Sequence, residues 1–252
     1  MNGRGSDVVH APGAPRIRHP AGRSRVARSR KRSGGPVATP GAAYDLRVFD
    51  SIPHPANGAW VEPVVLEGDR VRLEPLGEGH LDGLVAACLD PAIWRWTTAR
   101  PRDRAGLQEW LVQAIAIAAS GAEVPFATID RASGRLIGST RFMAIVPEHR
   151  RLEIGWTMIA PAWQRTGANR EAKLLQLEHA FERLAANRVE FKTDSRNGAS
   201  RTALLGIGAT FEGIFRSHMV MPEGDLRHSA WYSIVREEWP AIKVRLRTGL
   251  RR

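Results

Sequence analysis

Between Leu152 and Lys173 the chain reads LEIGWTMIAPAWQRTGANREAK. The run predicts a short buried strand (Leu152–Ile159), a Pro-containing turn, a polar loop (Gln164–Asn169) and the opening of an amphipathic helix. A strand that hands such a loop to a helix gathers unpaired backbone N–H groups and the positive end of the helix dipole at one spot. That makes an anion site, and phosphates are its commonest ligands. The spacing is not GxxxxGK[ST], and the lone Gly167 is no dinucleotide fingerprint. From the residues alone, two readings stand: a phosphate cradle and an ordinary strand-to-helix connection.

Other chemistries find little support. No His, Cys and carboxylate group has metal-ligand spacing, so no metal is expected, and no Gly-x-Ser-x-Gly elbow occurs. The single cysteine, Cys88, closes the helical pattern Leu81–Cys88 and reads as a small core residue rather than a nucleophile. One cysteine also excludes an internal disulfide framework and fits a reducing compartment.

Glu153-Ile154-Gly155-Trp156, followed by Pro161-Ala162-Trp163-Gln164-Arg165-Thr166-Gly167-Ala168-Asn169-Arg170-Glu171-Ala172, resembles the acetyl-CoA-binding core of the GNAT acyltransferase superfamily. Within it, the sequence is most similar to the branch that includes ribosomal-protein N-terminal acetyltransferases. The resemblance runs roughly from Val64 to Trp239. The superfamily loop is usually Q/R-x-x-G-x-G/A. Gln164, Arg165, Thr166, Gly167 and Ala168 fit it, while Asn169 fills the last small position. The departure weakens the motif without removing the loop, whose work is done by backbone amides.

The resemblance implies an N-acyltransferase that takes acetyl-CoA as cosubstrate. Acyl transfer to an amine needs a held donor, a deprotonated amine, a stabilised oxyanion and a proton for the leaving thiolate. The amides of Arg165–Arg170 would bind the CoA diphosphate, with Arg165 or Arg170 adding a charge-assisted contact. The Leu152–Ile159 strand would pair with the pantetheine, and the backbones of Trp156, Thr157 and Met158 are candidates to face the thioester oxygen. Gly155 would permit a bulge or close approach there, or serve simply in packing. Asn197 and Ser200 resemble the family's N-x-x-S helix entry, which contacts pantetheine; they also suit plain helix capping. Glu153 is the candidate base and Tyr232 the candidate proton donor to the thiolate, with Ser200 as an alternative donor. An ion-paired strand Glu and a partly buried strand Tyr are the structural readings. His218 lies in a strand near the same place, where a structural role also fits. Trp94 and Trp96 would line the acceptor pocket or anchor a loop to the core.

The expected mechanism is direct attack in a ternary complex, without a covalent enzyme intermediate, because no convincing nucleophile is present. The acceptor is a primary amine, either a protein N-terminus or a small molecule. Two rivals from other classes remain: a non-catalytic acyl-CoA-binding module, and an RNA- or ribosome-associated protein acting through its basic tail.

The elements that would position these residues follow from periodicity. Val64–Leu66 and Val71–Leu76 form a hairpin-like pair, and a helix runs from about Glu78 to Cys88, ended by Asp90-Pro91. Asp103 caps a second helix that Gly121 stops. Phe126–Ile129 and Leu136–Ile145 are strands joined by Arg131–Gly134. After the loop come a helix (about 169–184), a strand (Arg188–Thr193), a short helix (Ser200–Ile207), and a final strand pair (Thr210–Val220 and Arg227–Val235). Strand–helix–strand around the loop demands a parallel crossover, whereas the earlier strands form hairpins. The fold class is therefore α/β (α+β): a mixed, mainly antiparallel sheet with a central parallel pair flanked by helices, splayed as the GNAT resemblance implies.

Seven of the eleven net positive charges fall in residues 1–55, where ten Lys and Arg face three Asp. The rest of the chain is nearly balanced, which argues against nucleic acid as a partner of the folded part. Residues 1–55, rich in Arg, Gly, Pro and Ser, lack aliphatic periodicity and are expected to be a disordered basic extension. The domain is expected over residues 56–239, with 240–252 a basic, helical tail whose face is solvated. No apolar run approaches a membrane span. The expected location is cytoplasmic, the expected partners are a CoA thioester and an amine, and a homodimer is allowed for.

Overall fold

The computed structural model describes residues 59–250; the basic extension lies outside them. An eight-stranded sheet runs in the order β1-β2-β3-β4-β5-β6-β8-β7. Its strands are β1 (Leu66–Glu67), β2 (Val71–Pro75), β3 (Val124–Asp130), β4 (Leu136–Val146), β5 (Arg151–Ile159), β6 (Arg188–Asp194), β7 (Thr210–Val220) and β8 (Leu226–Val235). All neighbours are antiparallel except β5 and β6, the pair joined through a helix. Such a crossover is the connection that a parallel pair requires.

Helices cover both faces. On one side, α1 (Leu81–Cys88) and α3 (Arg104–Ala119) bury Leu84, Leu107 and Trp110 against Ile129 and Met158. On the other, α4 (Ala168–Glu178) and α6 (Trp239–Leu250) bury Leu177, Trp239 and Leu246 against Phe126, Phe142 and Phe191. The Asp103 carboxylate accepts from the Gly106 N–H at 2.8 Å and starts α3, as expected of a cap.

Three elements depart from their expected form. Asp90-Pro91 does more than end a helix: the Asp90 carboxylate accepts from the Ala92 N–H, starting a short α2 (Pro91–Trp94) with Pro in its first turn. The helix after the loop is α4 only to Glu178, and His179–Arg183 widens into a π turn. The C-terminal segment is more than a solvated tail. Its helix α6 inserts Trp239, Ile242 and Leu246 into the larger core, while Trp239 Nε1 donates to Glu182.

The strand β5 decides where the site lies. It pairs with β6 only at Arg151, Leu152 and Glu153. Beyond Glu153 the two strands part. The register against β4 also shifts between Ser139 and Arg141, so that Trp156 and Thr157 oppose the single residue Thr140. Trp156 takes the left-handed φ of +48°. That conformation is costly for a bulky residue, and here Trp110 and Arg141, packed on its ring, hold it in place. The expected bulge is thus real but centred on Trp156. Gly155 instead makes room for a neighbour, since a Cβ there would lie 2.5 Å from the Met143 sulfur.

The bulge also inverts the strand's alternation. Leu152 and Ile154 belong to the core under α4, whereas Trp156 and Met158 belong to the core under α1 and α3. Thr157 therefore points toward α4.

If α6 is part of the core, Leu246→Ala should cost about 2–5 kcal/mol in urea unfolding, whereas exposed Val244→Ala should cost less than about 0.5 kcal/mol.

Candidate active site

The gap between β5 and β6 opens into a cleft of about 850 Å³. The loop stands at one end. Arg165 and Gly167 adopt left-handed φ values of +64° and +93°, with Thr166 between them. Only glycine takes the second of these without strain. This curl points successive amides the same way, as in an anion-binding nest. Among the described groups, the N–H groups of Arg165, Thr166, Gly167, Asn169 and Arg170 have no acceptor. Ala168 N–H has only a long contact to Thr166 Oγ1 (3.4 Å). A helix start left this open is prepared for an anion.

Glu171 locks the loop to the sheet, a role its place in the sequence did not reveal. Its buried carboxylate accepts from the N–H groups of Asp69 (3.1 Å), Arg70 (2.7 Å) and Val71 (2.7 Å) in the β1–β2 turn. Gln164 Nε2 donates to Ile159 O, tying the loop back to β5.

Along the cleft wall, the backbones of Trp156, Thr157 and Met158 lie on the part of β5 without a β6 partner. Opposite, Asn197 caps α5 (Gly198–Ile207) by accepting from Ser200 N–H at 3.1 Å. The cap occupies Asn197 Oδ1 and leaves its Nδ2 hydrogens for the cleft, which Asn197 and Ser200 both line. Capping and ligand contact are compatible here.

Glu153 lies at the fork where the strands part. It is 1% exposed and accepts from Lys192 Nζ at 2.7 Å. Burial pushes its carboxyl above the ordinary range, while Lys192 and Arg227 pull the other way. A cleft-lining carboxylate with a raised pKa suits proton abstraction. Arg227, itself largely buried, donates to Ser229 Oγ and to Trp96 O beside it.

Two expected site residues are placed elsewhere. Tyr232 is fully buried, packs on Phe211 and accepts from Arg201 Nε at 3.0 Å, and it is not part of the cleft wall. The strand pattern had fixed β8 but not which face the Tyr takes. Trp94 is 1% exposed, packs edge-on against Trp110 and donates to Cys88 O, so it anchors the core. Trp96 does line the cleft, with the Arg95 and Arg196 guanidinium groups against its ring. His218 bonds Ser229 Oγ through Nδ1 outside the cleft. Cys88 is buried, and burial pushes its thiol up to about 12, which removes it as a nucleophile. No metal-ligating cluster occurs among the described residues.

Sequence reading missed Lys173. It lines the cleft one turn past Asn169, and its ammonium faces only neutral oxygens. Burial draws its pKa down to about 7. Its place at the opening of the helix was visible, but only the bulge in β5 determines what it meets.

Similarity to known proteins agrees with the resemblance in the sequence. Residues 70–210 match the family model described as "Acetyltransferase (GNAT) domain". The chain belongs to the GNAT family and is an acetyltransferase of the N-acetyltransferase type. It is 36% identical to a GCN5-related N-acetyltransferase from Brucella melitensis whose crystal structure covers 75% of this chain and 86% of that one, with a TM-score of 0.71. It is 33% identical over 106 residues to the uncharacterized N-acetyltransferase YoaA of Bacillus subtilis, a match spanning 42% of this chain and 59% of that protein. The fold is shared with ribosomal-protein acetyltransferases. It is also shared with Mycobacterium smegmatis RimJ, solved in complex with CoA-disulfide, at 20% identity and a TM-score of 0.64 over 74% of this chain and 95% of that one.

Lys173 should leave a mark on stability. The unfolded chain keeps its proton to about pH 10.4, and the folded chain only to about 7. Between these values the unfolded state holds more protons, so folding stability rises with pH. Below pH 7 the penalty is complete. Lys173→Met should therefore melt higher than wild type at pH 6, by a few kcal/mol, and the gap should close between pH 7 and 10.

Proposed function

We propose that this acetyltransferase moves an acetyl group from acetyl-CoA to a primary amine by direct attack within a ternary complex. The observation that carries the reading is the row of amides from Arg165 to Arg170, all but Ala168 without an acceptor, at one end of a cleft whose other end holds a buried carboxylate. The amides take the diphosphate, and Arg165 and Arg170, both exposed, add charge at its rim. The unpaired edge of β5 takes the pantetheine as a neighbouring strand would be taken. Amides near the Trp156 bulge face the thioester oxygen and stabilise the charge that develops there. Asn197 donates to the pantetheine through its free Nδ2.

Glu153 receives the amine's proton, directly or through water, with Lys192 holding it in place. Of the two hydroxyls considered for the leaving thiolate, Ser200 is the one on the cleft wall. The amine enters past Trp96, beside which stand Arg95, Arg196 and Arg227. Both a protein N-terminus and a small-molecule amine fit this chemistry.

Release of free thiol from acetyl-CoA over a panel of amines and peptides tests the reading. Glu153→Gln should lower kcat by about 10²–10⁴-fold while CoA affinity, measured by calorimetry, stays near wild type. Loss of binding without loss of turnover would exclude the assigned role. Cys88→Ala should keep full turnover, and its inactivation with an intact fold would exclude direct transfer. Tyr232→Phe should act only on stability.

A further inference from the structure

Lys173 is 4% exposed and has no carboxylate partner. Its Nζ donates to Thr157 Oγ1 (2.5 Å), Thr140 Oγ1 (3.0 Å) and Gln176 Oε1 (3.3 Å). Three acceptors match the three hydrogens of an ammonium, and a neutral amine leaves one of them unserved. Thr140 can pass its own hydroxyl hydrogen to Gln176 Oε1 (3.2 Å), so that corner is closed. The Thr157 hydroxyl hydrogen is what remains. Its alternatives are Thr140 Oγ1 (2.9 Å), already an acceptor for Lys173, or a group in the cleft. Thr157 is exposed to the cleft and lies on β5 where β6 has left it.

Such an arrangement does not serve folding. A buried ammonium facing only neutral oxygens costs stability, and a methionine would fill the same space. The chain contains 33 Arg and 4 Lys, so arginine is its ordinary cation; position 173 holds instead a compact amine that can release its proton.

We propose that Lys173 and Thr157 form a charged relay that grips the acyl carrier: the Thr157 hydroxyl donates to a carbonyl oxygen of the pantetheine arm, and the Lys173 ammonium behind it strengthens that donor. This rests on the reading of the cleft as the CoA thioester site. A hydroxyl that accepts from an ammonium is a stronger donor than one that accepts from a neutral group. A carbonyl in front of it favours the protonated amine, so binding draws in a proton and affinity falls as pH rises above 7. The other charged groups on the elements around Lys173 have partners of their own. On α4, Arg170 reaches Gly249 O, Glu171 the amides at 69–71, and Glu178 Arg247. Arg141 on β4 pairs with Glu123, and Glu153 on β5 with Lys192. His179, beyond α4, stacks on Phe142.

Calorimetric titration of the full chain with CoA, from pH 6 to 9 in two buffers of different ionisation enthalpy, tests the relay. Wild type should take up a fraction of a proton near pH 7.5. Lys173→Met and Thr157→Val should each weaken CoA binding by about tenfold. Both should abolish that proton uptake, and the double variant should be no weaker than the poorer single one. Lys173→Met should do so while melting higher than wild type, which a residue serving only the fold would not do. Unchanged affinity and proton uptake in either variant, or additive losses in the double variant, would overturn the relay. If Lys173→Met does not fold, Thr157→Val, which keeps the amine, decides. No heat with CoA in wild type overturns the cleft reading and the relay together, whereas wild-type binding with unaffected variants overturns the relay alone.

Discussion

The parting of β5 from β6 after Glu153 is the constraint on which the rest depends. Sheet strands normally satisfy their neighbours' amides, and a strand edge left open inside a domain must find other partners. Here the fold keeps the gap open by packing on both sides of it. Trp156 is held in a left-handed conformation between Trp110 and Arg141, and α4 is fastened to the β1–β2 turn through Glu171. The strands cannot close without unpacking one core or the other.

The bulge at Trp156 moves Thr157 to the α4 side of the sheet, above Lys173, while Glu153, before the bulge, meets Lys192. The cleft therefore carries an unpaired buried cation toward the loop and a paired buried carboxylate toward the fork. A single inserted residue separates the two ends chemically. The loop itself needs few side chains, because its amides, freed by the curl at Arg165 and Gly167, already present a row of donors.

The basic character of the chain has little to do with this chemistry. Most of its excess charge lies in residues 1–55, outside the described structure. Several buried charges among the described residues are matched by an oppositely charged partner. Lys192 with Glu153 and Arg141 with Glu123 are examples. Lys173 differs from these pairs, because its ammonium is buried against neutral oxygens alone.

Much of the architecture was legible from local pattern. The strand–loop–helix run, the Asp103 cap, the hairpins and the parallel crossover each follow from rules spanning a few residues, so composition and spacing carried them. The amide cradle was legible for the same reason, since a helix start makes its donors locally. Side-chain direction was not. Tyr232 and Trp94 have the right types and the right neighbours in sequence, yet strand pairing and core packing turn both inward. Lys173 lies in plain view within the strand–loop–helix run, but what it faces depends on a bulge one strand away. Local sequence thus determined which elements form and where backbone donors gather. Only the tertiary structure decided which side chains share the cleft, because a one-residue shift in register reverses the face that every later side chain takes.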